Sequence, residues 1–190
     1  YTKDGSIPEV PPIDSVLPRE GQLHWSDLVL DPDATDFRAA EGWWSVARKV
    51  PSTPVRFAKE AEKFVFYDCL AEFSPQAHID WTKDGVTIRN DSPEEALALA
   101  LRVRDGACSH AWSKIAKGAT ASLTPSKGEP DLAGALVGAG LTKPESDAIV
   151  EIWRDEFFEA DGVRVLLVLG RDAYDRLLPI EFSPKPAELK

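Results

Sequence analysis

Ala96-Leu97-Ala98-Leu99-Ala100-Leu101-Arg102-Val103-Arg104 decides the fold. Leucine or valine stands at every second position, with alanine or arginine between. Successive side chains of a strand point to opposite faces, so this period of two favours a strand, although Glu94, Glu95 and the alanines suit a helix. Working upstream, His78–Trp81 leads into Lys83-Asp84-Gly85, a turn in which Gly85 can take positive φ, and Val86, Ile88 and Asn90 then alternate as the second arm of a hairpin. Glu62–Leu70 joins Phe64, Val65, Phe66 and Tyr67 in a run too short for a typical helix, which points to a buried strand. Downstream, short strands are expected around Ala111–Ile115 and Thr120–Leu123. Short strands separated by turn signals predict an antiparallel β-sandwich-like part.

The pattern changes at Pro125-Ser126-Lys127-Gly128-Glu129-Pro130, a stretch rich in helix and strand breakers. Asp131 can cap a helix over 131–139, with Gly140 just past its end. Thr142 and Glu145 form a capping box around Pro144, and Ile149, Ile152, Trp153 and Phe157 recur at helical spacing, predicting a second helix over 144–158 with Trp153 in the core. Val163–Leu169 reads as a strand apolar on both faces, Gly170–Arg176 as a turn and Leu177–Phe182 as a last strand. The expected fold class is therefore α+β: an antiparallel β-sandwich-like part with a two-helix insertion and a closing strand pair. Its parts are a Pro-rich arm or linker over 1–22, a mainly β, sandwich-like part over 23–124, and a helical pair with terminal strands over 125–190 packed with the preceding part.

The 190 residues carry 32 acidic and 22 basic side chains, a net charge of -10 spread evenly along the chain. Nucleic acid and anionic membrane surfaces need clustered Lys and Arg to displace counterions, so neither is expected as a partner. No apolar stretch approaches the roughly 20 residues of a membrane helix, and no membrane insertion of this segment is expected. The start at Tyr1 suggests a piece excised from a longer chain.

Residues of chemical interest are scattered. Asp31, Asp33 and Asp36 offer three carboxylates within six residues, the hard oxygen ligands Ca²⁺ takes, but Asp36 and Gly42 stand where an EF-hand loop needs Gly and Glu. A solvated acidic turn is the better account, and no metal or cofactor is expected. His24, His78 and His110 show no ligand spacing, and no nucleophile signature surrounds Ser109-His110. Glu156, Glu159 and Asp161 form an acidic group near the second helix's end. Cys69 and Cys108, the only cysteines, are a disulfide candidate where an oxidising compartment permits a bridge, but nothing fixes the register of their strands, and two reduced, poorly reactive thiols are the expectation. Of the six tryptophans, Trp43 and Trp44 stand out. Adjacent residues of an extended segment face opposite ways, which leaves one indole available for ligand or partner contact while packing claims the other.

Three stretches resemble a family of large exported bacterial proteins with no assigned activity: Glu62-Lys63-Phe64-Val65-Phe66-Tyr67; Ile152-Trp153-Arg154-Asp155-Glu156-Phe157-Phe158 with Gly162-Val163-Arg164-Val165-Leu166; and Asp175-Arg176-Leu177-Leu178-Pro179-Ile180 leading to Pro184-Lys185-Pro186. The resemblance spans roughly residues 43–190 and departs at Asp68-Cys69, where that family more often has a basic residue and Gly. It implies an extracytoplasmic, periplasmic or cell-surface location within a larger polypeptide. The expected function is a non-enzymatic interaction or structural module whose partner is a protein or cell-surface component, polysaccharide included. The alternatives are a carbohydrate-binding module using exposed Trp and a hydrolase whose site is assembled from distant segments.

Overall fold

A computed structural model describes residues 24–39, 41–66 and 74–187. The Pro-rich arm and positions 67–70 of the strand expected over 62–70 lie outside the described residues. In chain order the strands are β1 (Val29–Leu30), β2 (Val55–Phe57), β3 (Glu60–Glu62), β4 (Ala77–Trp81), β5 (Val86–Asn90), β6 (Ala96–Arg104), β7 (Ala107–Ile115), β8 (Thr120–Leu123), β9 (Ser126–Lys127) and β10 (Gly162–Val168). The helices are α1 (Trp43–Ala47), α2 (Leu132–Gly138), α3 (Lys143–Ile152) and α4 (Arg171–Leu177), with a π-helical segment at Asp155–Glu159. The result is an α+β fold with three antiparallel sheets, ordered β1-β2-β3, β4-β5-β8 and β10-β6-β7-β9.

The decisive stretch is a strand, and its two faces do different work. Ala98 and Ala100 share one core cluster with Val86, Ile88 and Ile115, joined by Trp81, Leu123, Val165 and Leu167. Leu99 and Leu101 share the other with Leu132 and Phe158, joined by Trp112, Leu136, Val150 and Leu166. Small side chains thus meet the β4-β5-β8 sheet, while leucines fill the wider space under the helices. Both faces are fully buried from Ala98 to Leu101. Burying each leucine contributes about 1.5 to 3 kcal/mol, and a one-residue slip would exchange the alanine and leucine faces. Register with β7 and β10 is accordingly continuous, with Leu99 opposite both Trp112 and Leu166.

Polar contacts complete the joint between sheets. Asn90 is fully buried and satisfied: its amide nitrogen donates to the carbonyls of Glu94 and Ile115, both at 2.8 Å, and its oxygen accepts the Ser92 N–H at 2.9 Å. Arg102 donates to the carbonyls of Lys83 and Thr82 and lies 5.6 Å from the Trp81 ring centroid, tying β6 to the β4–β5 turn. Gly85 is needed there for space rather than for positive φ, because a Cβ would come within 2.5 Å of the Leu123 carbonyl oxygen in β8. The β6–β7 turn is Asp105-Gly106, both with positive φ, as a two-residue hairpin loop demands. It lengthens β7 well upstream of the expected Ala111.

The two helices start as their caps predict. Asp131 accepts the Gly134 N–H at 2.8 Å, and Glu145 accepts the Thr142 N–H at 2.7 Å. The second helix, however, does not continue to Phe158. At Trp153 the chain leaves α-helical geometry, and the Ala160 N–H reaches five residues back to the Asp155 carbonyl. This wide turn directs Phe158 into the core at 8% exposure, whereas Trp153, which precedes it at the C-terminal end of α3, lies at the surface at 48%. The expectation of a core Trp153 is thereby corrected.

The chain end differs as well. Where 170–176 reads as a turn, α4 runs over 171–177, and no strand forms over 177–182. Two contacts favour the helix: the Glu94 carboxylate accepts the Ala173 N–H at 2.9 Å in its first turn, and Arg171 pairs with Asp175 four residues on. Gly170 leaves room for Glu94, whose carboxylate a Cβ would meet at 2.6 Å. The expected closing strand pair is thus one strand, β10, followed by a helix. Likewise β3 ends at Glu62, and Lys63–Phe66 is not a strand. Its aromatics are drawn to Trp43 and Trp44.

Replacing Asn90 by Ala removes its hydrogen bonds to the Ile115 carbonyl and the Ser92 N–H and leaves the Glu94 carbonyl with the Ser92 hydroxyl as its remaining side-chain donor. The expected loss is about 2 to 4 kcal/mol in urea unfolding. A loss under about 0.5 kcal/mol would show that the sheets do not depend on this side chain.

Candidate functional site

Two regions gather chemically useful side chains. The first is the N-terminal lobe of β1, β2, β3 and α1. Gly42, at φ 58°, turns the chain into α1, so Trp43 and Trp44 are helical rather than extended. Their rings stack on each other at 3.8 Å between centroids, Phe64 lies parallel to Trp44 at 5.3 Å, and Phe66 sits against both. Each indole is half-buried in this group.

Ion pairs hold the lobe together. Arg48 makes a two-point contact with Glu62 at 3.0 and 2.6 Å, and its guanidinium lies 5.7 Å from the Phe37 ring. Arg56 donates to Asp31 at 2.7 Å and to both Asp36 oxygens at 2.7 and 3.1 Å. Asp31 and Asp36 therefore converge on a guanidinium, while Asp33 is exposed. The hydrogen bonds from Arg56 hold the Asp36 carboxyl below its ordinary value of 3.8. Among the described residues no group of three His, Cys, Asp or Glu side chains could hold a metal ion.

The second region is an open cleft of about 780 Å³ at the β6–β7 turn, where Cys108, Lys127, Glu129, Arg154, Phe158 and Glu159 line the walls. The π-helical segment sends Phe158 into the core and leaves Glu159 facing the cleft. Cys108 carries a free thiol. Burial, and next the Glu129 carboxylate, push its pKa up, so it stays protonated at neutral pH and is a poor nucleophile. Cys69 lies outside the described residues. His110 is committed to the scaffold: the Gly128 carbonyl can only accept, so Nδ1–H donates to it at 2.9 Å. Ser109 donates instead to the Arg102 carbonyl, so the adjacent Ser and His do not act as a pair. His24 is exposed, and His78 lies 3.3 Å from Asp80 on the surface of β4.

The sequence did not single out Lys127, Glu129 or Arg154, which converge only through the β7–β9 pairing and the π turn. Glu159 belonged to the acidic group noted near the second helix's end, which the sequence did not connect to these three. No protein-family model, curated protein or solved structure matches the chain. Among the described residues no helix is long and apolar enough to cross a membrane.

The lobe buries few large apolar side chains, so its ion pairs should set its response to acid. A carboxylate whose folded pKa is depressed contributes stability that is fully present above its unfolded value and is lost as pH falls through the folded one. Tryptophan emission should therefore be steady from neutrality to about pH 4 and change below it. An Arg56→Gln variant should show the loosened emission already at pH 7. Identical acid profiles for the two proteins would remove Arg56 from this role.

Proposed function

We propose that this chain is a non-enzymatic interaction module of a larger exported bacterial polypeptide, and that it engages a protein or cell-surface component through the apolar face of its N-terminal sheet. One observation carries the proposal. Leu30 pairs across to Val55, and Phe57 lies two residues on along the same face, with Leu28 one step before the strand on that side. Leu30 is 69% exposed and Phe57 55%. These four form an apolar strip that β3 continues on the same face with Glu60 and Glu62, opposite Phe57 and Val55; exposed apolar side chains so gathered are costly unless something covers them, and such patches mark interaction sites. The exported setting draws its support from the sequence resemblance alone. A sandwich of the β4-β5-β8 and β10-β6-β7-β9 sheets is supported by the core cluster that draws on both.

Carbohydrate binding is the second reading, and the exposed Trp153 favours it. Its ring runs nearly parallel to Phe157, and the next residue, Arg154, lines the cleft with Glu129 and Glu159. An aromatic platform beside polar groups suits a sugar ring.

The discriminating experiment compares wild type, Leu30→Glu/Phe57→Lys, Trp43→Ala/Trp44→Ala and Trp153→Ala for retention of purified cell-envelope proteins and of defined polysaccharides. Under the first reading, protein retention is lost only when the apolar face is charged. Polysaccharide retention lost with either tryptophan change favours the second. Turnover of glycoside, ester or peptide substrates that survives repurification would overturn both.

A further inference from the structure

We infer that β10 is a self-association edge, along which a second copy of this chain pairs antiparallel to extend the four-stranded sheet across a two-fold axis. β10 is the outer strand of its sheet and pairs with β6 alone, through seven consecutive residue pairs without a bulge. Alternate residues of such a strand turn their N–H and C=O groups outward. Among the described residues no hydrogen bond reaches those outward groups.

Strand edges are normally blunted by brevity, proline, bulges or outward charges. The opposite edge of this sheet follows that rule, since β9 has two residues and carries Lys127. β10 has seven residues, Gly-Val-Arg-Val-Leu-Leu-Val, with no proline and no lysine. Its one charge does not protect the edge. The Arg164 guanidinium is turned back to the carbonyls of Phe157 and Ala160, at 2.8 and 2.6 Å, where it caps the π-helical segment.

Electrostatics and symmetry favour a second copy as the occupant. In a chain with 32 acidic residues, positions 162–170 contain none, so two copies meet here without opposing carboxylates along the shared strands. An antiparallel pair centred on Val165 sets Arg164 against Leu166 and Val163 against Leu167 of the second copy, so no like charges face each other. Val163, 48% exposed, gains an apolar neighbour. An isologous contact of this kind closes as a dimer rather than a filament. It lies apart from the N-terminal face and does not rest on the proposed partner there.

Sedimentation equilibrium of the full chain over about 1 to 500 µM should show a reversible monomer–dimer equilibrium, as a small interface implies. Val163→Lys, at a site already half exposed, should keep the circular dichroism spectrum and weaken the dimer about tenfold, because each copy loses one apolar cross-strand pair. In the wild type, amide exchange at alternate residues of β10 should slow as concentration rises, a readout independent of any variant. A monomer at every concentration would overturn the inference. So would a dimer that leaves β10 exchange unchanged, or β10 protection that arises only with an added extended peptide of unrelated sequence.

Discussion

Burial of β6 on both faces is the constraint from which the rest of the structure follows. A strand with no solvent face must be covered twice, and its side chains set how closely each cover approaches. Alanines at 98 and 100 let the β4-β5-β8 sheet come near, and the leucines at 99 and 101 need the helical layer of α2, α3 and the π-helical segment. Removing either cover would expose one of the two clusters. The sheets and the helices are therefore coupled through a single strand.

Away from β6 the molecule is built differently. The N-terminal lobe buries Ala34 and Ala61 and relies on the Arg48–Glu62 and Arg56–Asp31/Asp36 pairs and on stacked aromatics. Part-exposed ion pairs contribute about 0 to 1 kcal/mol each, so this lobe should open at lower free energy than the four-stranded sheet of β6. The two surfaces proposed for binding, the Leu30–Phe57 face and the outer edge of β10, both lie away from the two clusters around β6.

Much of this plan is legible in local sequence. The period of two over 96–104, the hairpin around Gly85 and the caps at Asp131 and Glu145 each state their own geometry within a few residues. The Asp105-Gly106 dipeptide carried a hairpin signal strong enough to extend β7 to Ala107. What local sequence does not show is contact at a distance. Glu94 reaches 79 residues along the chain to the first turn of α4, so 170–176 reads as a turn in isolation. The π turn after Trp153 shifts the period of the residues that follow, which a helical-wheel reading cannot anticipate, and brings Phe158 to the core while Trp153 at the end of α3 stays exposed. Aromatics at 64 and 66 suit a strand by propensity, yet Trp43 and Trp44 recruit them into a stacked cluster. The cleft side chains were invisible for the same reason, since Lys127, Arg154 and Glu159 meet only after these tertiary choices are made.

Native-state amide exchange across a series of low denaturant concentrations tests most directly that β6 couples the two cores. Amides of β6 that bond to β7 and β10 should exchange only through global unfolding, with the same free energy and denaturant slope as those of β5 and of α3, while the N-terminal lobe exchanges through a smaller opening. If β5 or α3 opens at a clearly lower free energy than β6, the layers are independent and the account of a single shared strand is wrong.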